Sequence, residues 1–95
     1  MTEENNKIKS LDDIAKGDIV TLRTYGPCIV SAIGDIPEHE KEAELYPLHK
    51  PGTPDKQIDC YKIIVKQFQL KDFEIKKSIK EDYKGWRYKS LQIVD

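Results

Sequence analysis

Apolar residues in this chain recur mainly with a period of two, in short runs that Gly, Pro or charged pairs interrupt. Ile19-Val20-Thr21-Leu22-Arg23 is one such run, and Cys28 to Ile33 follows it across the turn Thr24-Tyr25-Gly26-Pro27. Ile58 to Phe68, Leu70 to Ile79, Trp86-Arg87-Tyr88 and Leu91-Gln92-Ile93-Val94 complete the set. A period of two places alternate side chains on opposite faces of a strand, so the chain is built for sheet. Helical spacing is confined near the N-terminus to one turn. Ser10 caps it, Asp12 and Asp13 suit its positive end, Leu11 and Ile14 stand three apart, and Gly17 ends it.

A chain of 95 residues with 38% apolar and 35% charged side chains supports one small core and a heavily solvated surface. Strands this short, left open, would expose several unpaired edges, and closure removes them. The expected fold is therefore mainly β: a small SH3-like barrel of about five strands. Residues 1–9 are expected to be a flexible N-terminus, and 10–95 a single domain. Its predicted core contains Val20, Leu22, Val30, Tyr61, Ile63, Val65, Phe73 and Leu91, with Cys28, Val30 and Ala32 sharing a face.

Residues 35–57 break the strand rhythm. Pro37 followed by Glu38, Glu40, Glu42 and Glu44 has the look of a helix start, although glutamates four apart repel each other there. Three prolines and Gly52 follow between Tyr46 and Lys56. The segment is expected to be a helical or flexible insertion carried on the barrel.

Catalytic chemistry finds little to work with. Cys28 and Cys60 show no metal-ligand spacing with each other or with His39 and His49, and both are expected to be buried free thiols in strands. The two histidines lie in the insertion, so a thiol–imidazole pair would need that loop to fold back over the barrel. The glutamates at 38–44 fit a solvated face better than an acid–base pair. No glycine-rich phosphate loop is present. No cofactor, no metal and no enzymatic activity are expected. No apolar run has the length of a membrane span or the character of an export signal, and a soluble cytoplasmic protein with no membrane partner is expected.

Charge is unevenly placed. Residues 1–57 hold seven basic and eleven acidic side chains, whereas 58–95 hold nine basic and six acidic. Lys76, Lys77, Lys80, Lys84, Arg87 and Lys89 lie beside Tyr83, Trp86 and Tyr88 in the one stretch that has the make-up of a recognition surface. Two uses are open to it. The first is an interaction module that captures an unknown protein or peptide partner through an uncovered strand or an aromatic groove. The alternative is weak nucleic-acid binding, with rings stacking on bases and cations meeting phosphates. Fourteen of the sixteen basic residues are Lys, which lacks the two-pronged geometry by which Arg recognises phosphate and guanine. The first use is the leading expectation.

The run Lys16 to Ile33 resembles the opening hairpin of the small bacterial YodC-like proteins. Gly17, Asp18, Val20, Leu22 and Arg23 match that pattern, as do Gly26, Pro27 and Val30. Thr24 and Tyr25 stand where that family has Ser-Gly, and Ile29 where it has Met. Ser90-Leu91-Gln92-Ile93-Val94 is similar to its closing strand, and Cys60 to the cysteine of its middle strand. Tyr61 and Lys62 replace the Trp-Phe that follows there, and 35–57 lies outside the pattern. The resemblance implies an SH3-like barrel in a family whose biochemical role is poorly defined.

Overall fold

The structure is a computed structural model that describes residues 7–34, 41–89 and 92–94. The first turn forms as its sequence predicts. Ser10 accepts a hydrogen bond from the Asp12 amide, and the Asp13 carboxylate accepts in return from the Ser10 amide, so Leu11–Asp13 is a 3-10 turn closed by a reciprocal cap. Gly17 then turns the chain at φ 95°, where its amide donates to the Val30 carbonyl at 2.8 Å.

Strand β1, Ile19–Leu22, pairs with β2, Gly26–Gly34, across the expected hairpin. Strand β3, Glu42–Pro47, pairs with β2, and β4, Ile63–Lys66, pairs with β3. A 3-10 turn at Gln67–Gln69 and the one-turn helix α1, Leu70–Phe73, lead into β5, Lys76–Lys77, which lies against β1. All pairs are antiparallel and the sheet order is β4-β3-β2-β1-β5. A 3-10 turn at Lys80–Tyr83 precedes a separate hairpin of β6, Arg87–Tyr88, and β7, Gln92–Ile93.

The predicted mainly-β class and the strand hairpin are present, but the sheet does not close into a barrel. Strands β4 and β5 are its outer members, and no ladder joins them among the described residues. The outer edge of β5 meets the N-terminal segment instead, through the Lys7 and Lys76 bridge and the Ile8 amide on the Ile75 carbonyl at 3.1 Å.

The helical or flexible insertion expected at 35–57 is corrected in part. Residues 42–47 form an inner strand of the sheet. Ala43 and Leu45 point into the core while Glu42 and Glu44 point to the other face, so the glutamates follow a strand period that also resembled a helix start. Residues 35–40, including Glu38, His39 and Glu40, lie outside the described residues.

Both faces of the sheet are covered. Val20, Leu22, Cys28, Val30, Leu45 and Val65 form the first core, closed by Leu11 and Ile14 from the N-terminal turn and by Leu70 from α1. On the other face Ile19, Ile29, Tyr46 and Leu48 meet Val94, with Trp86, Tyr83 and Tyr88 packed over them. Ile19 and Ile29 thus face away from the first core but are buried all the same. Their side is capped by the C-terminal segment.

A bulge changes the phase of β2. Its pairing with β3 slips between Val30 and Ala32, where the Ser31 hydroxyl donates to the Glu44 carbonyl at 3.2 Å. Ile33 therefore continues the face of Cys28 and Val30, and Ala32, expected on that face, turns to the other.

The long strand expected at 58–68 is reduced to four residues. Extending the β3–β4 register would set Tyr61 opposite Pro47 in a hydrogen-bonded position, and Pro47 has no amide to donate. Pairing ends at Ile63. Cys60 and Tyr61 are left exposed, against the expectation that both were core. The strand expected at 70–79 is likewise interrupted: Leu70 and Phe73 stand three apart and turn together as α1, leaving Phe73 half-buried against the first core. Leu91 lies outside the described residues.

Candidate binding surface

Three aromatic rings meet at one end of the first core. Tyr25 sits at the tip of the β1–β2 turn, Tyr61 precedes β4, and Phe73 ends α1. The Tyr25 and Tyr61 centroids are 6.5 Å apart at 59°, and the Tyr25 and Phe73 centroids 6.3 Å apart at 26°. Tyr25 is 42% exposed and Tyr61 49%. Partial desolvation, followed by the Asp59 charge, pushes the Tyr61 phenol above its ordinary value of 10.0. The Cys28 thiol lies in the core, and burial pushes it up to about 12, which holds it as an inert thiol.

The patch is held from below by backbone and charge. The Arg23 amide donates to the Phe73 carbonyl at 3.0 Å, fixing the end of α1 to the β1–β2 turn. Glu74 follows at φ 47°, a left-handed position that ends the helix and that Glu rarely takes. Its carboxylate accepts from Arg23 Nη1 at 3.0 Å and from Lys7 Nζ at 3.5 Å. The Arg23 charge first, then the Lys7 hydrogen bond, hold the Glu74 carboxyl below its ordinary value of 4.5.

The basic and aromatic residues expected between 76 and 89 are distributed over several settings. Lys76 and Lys77 form β5, with the Lys77 ammonium 3.3 Å from the Asp13 carbonyl and 3.6 Å from the Asp18 carboxylate. Lys80 and Lys84 are exposed on and just after the last 3-10 turn. Tyr83 and Trp86 meet edge to face at 4.9 Å and, with Tyr88, pack over the second core. Arg87 is half-buried; it donates to the Thr53 carbonyl at 3.2 Å and pairs with Asp55. The Lys89 ammonium stands 5.2 Å over the Tyr46 ring, a cation–π contact.

The remaining sequence candidates are structural in setting. His49 Nε2 accepts from the Asp59 amide at 3.0 Å, tying the 50–58 loop at its ends. Glu44 of β3 pairs at 3.2 Å with Lys62, which stands just before β4. Among the described residues no three His, Cys, Asp or Glu side chains are grouped to hold a metal ion. The aromatic patch was missed from sequence because its members stand far apart along the chain. The available signal was Tyr25, an aromatic residue at a hairpin tip, where burial is not expected.

Comparison with protein-family models, curated proteins and solved structures gives no match to this chain. No helix among the described residues is long and apolar enough to cross a membrane.

Proposed function

We propose that this protein is a non-enzymatic interaction module that binds a protein or peptide partner on the Tyr25–Tyr61–Phe73 patch. The observation that carries the reading is the exposure of two tyrosine rings in contact range of each other, on a chain that buries its other tyrosines wholly or in part. Tyrosine offers large contact area with few rotatable bonds and a polar tip, which suits a surface that must be wet when free and dry when bound. The fold reading that accompanies the proposal is a partly open SH3-like barrel. Its support is the four-strand meander, the fifth strand returned beside the first, and the short helical turn between β4 and β5. The likeness of residues 16–33 to the opening of YodC-like proteins points the same way.

Nucleic-acid binding through residues 76–89 is the weaker reading. Stacking on bases needs open ring faces, and Tyr83, Trp86 and Tyr88 contribute to the second core. Arg87 and Lys89 are already engaged with Asp55 and Tyr46.

Selection from a random peptide library followed by amide chemical-shift mapping tests the reading. Enriched peptides are expected to shift residues around Tyr25, Tyr61 and Phe73, and to lose binding to Tyr25→Ala/Tyr61→Ala. Failure to enrich any peptide, or shifts centred on residues 76–89, would overturn it.

A further inference from the structure

A second surface lies on the other side of Glu74. A groove of about 580 Å3 runs between the N-terminal segment, residues 7–9, and the Gln67–Gln69 turn with α1. Ile8, Leu70 and Ile75 give it an apolar lining continuous with the first core. Phe68 stands at its rim, 61% exposed and with no ring partner among the described residues.

The groove's charge is one-sided. Lys7, Lys9 and Lys71 line it, and Glu74 is the one carboxylate in the lining. Both oxygens of that carboxylate are engaged, one by Lys7 and the other by Arg23 from outside the groove. The nearby Asp13 carboxylate is turned to the amides of Lys9 and Ser10. Cations around an apolar floor attract an anionic partner that also carries an apolar anchor. All the lining cations are Lys, the floor is aliphatic, and the chain as a whole has a net charge of −1, none of which favours a nucleic-acid strand.

We propose that this groove docks an acidic peptide segment. One apolar side chain of the peptide enters against Ile8, Leu70 and Ile75 beside Phe68, and flanking carboxylates meet Lys9 and Lys71, while Lys7 stays on Glu74. The site is distinct from the tyrosine patch, and each can fail alone.

The probe is a fluorescein-labelled, end-blocked peptide of Glu and Asp with one central Phe, titrated into the full chain at low and moderate salt. Amide shifts are expected within residues 7–9 and 67–75. Lys9→Glu/Lys71→Glu is expected to weaken binding at least about tenfold while leaving the thermal midpoint near that of the parent. Replacing the central Phe by Ala should weaken binding, and added salt should weaken it further. Four results would overturn the proposal: no binding, shifts centred on Tyr25 and Tyr61, equal binding of a Lys-flanked peptide, or tighter binding of oligothymidylate to the same residues.

Discussion

Arg23, just past β1, and Glu74, just past α1, meet at 3.0 Å, and Glu74 stands in the chain between Phe73 of the tyrosine patch and Ile75 of the lysine-lined groove. The same Glu holds a left-handed backbone, so a strained position and an ion pair coincide at one residue.

The pH dependence of this contact has a definite sign. The Glu74 carboxyl is held below 4.5 in the folded state, by Arg23 and then Lys7. A depressed carboxyl contributes stability above its unfolded value, and that contribution fades as pH falls through the folded value. Glu74→Gln should therefore unfold at a lower temperature than the parent at neutral pH. The two proteins should converge once the solution is acid enough to protonate Glu74 in both states. Added salt should shrink the gap at neutral pH, since both partners face solvent. A gap that persists unchanged into strong acid would assign the effect to the backbone.

The register of β4 predicts unlike behaviour from neighbours of similar sequence appearance. Val65 is fully buried and Tyr61 is 49% exposed. Val65→Ala should destabilise by about 1–3 kcal/mol in denaturant unfolding, with an unchanged slope. Tyr61→Ala should change the midpoint little while removing part of the proposed binding surface. A large loss at Tyr61 would extend the β3–β4 pairing as far as Pro47.

Sequence made some of this legible, for physical reasons that differ by element. Ser10 and Gly17 act within a few residues of themselves, so the N-terminal turn could be read locally. The β1–β2 hairpin was equally plain because alternation and turn chemistry agree there. Strand β3 was hidden because Glu38, Glu40, Glu42 and Glu44 satisfy helix-start and strand patterns together. Only pairing with β2 and β4 decides between them. The shortness of β4 depends on Pro47 lying opposite Tyr61, a fact of register. The same holds for the bulge at Ser31, which has no Gly to mark it. The tyrosine patch and the lysine groove are tertiary products: the patch draws on three segments and the groove on two, 7–9 and 67–75, that no local pattern connects.

The two cysteines should separate in a thiol-labelling experiment. Cys28 is buried, with its thiol pushed up to about 12, and Cys60 is exposed beyond the end of β4. One equivalent of reagent should react quickly with the native protein, at Cys60. Cys28 should react only as fast as the fold opens. Cys60→Ser should abolish the fast phase, and rapid double labelling would contradict the packing of Cys28 between Val20 and Pro47 in register.

Ile19 and Val20 provide the last test, because they are adjacent and point to opposite faces of β1. In a sheet with one covered face, only one of two neighbours is sensitive to truncation. Here Ile19 is 1% exposed and Val20 is 0% exposed. Val20 packs among the residues of the first core, and Ile19 beneath Tyr46, Leu48 and Val94. Ile19→Ala should destabilise by about 2–5 kcal/mol and Val20→Ala by about 1–3 kcal/mol. The losses should also differ in optical signature. Trp86, the one tryptophan of the chain, packs over the second core, so Ile19→Ala should red-shift its emission in the folded state and Val20→Ala should not. A null result at Ile19, with an unshifted Trp86, would mean that the C-terminal hairpin does not seat on the sheet.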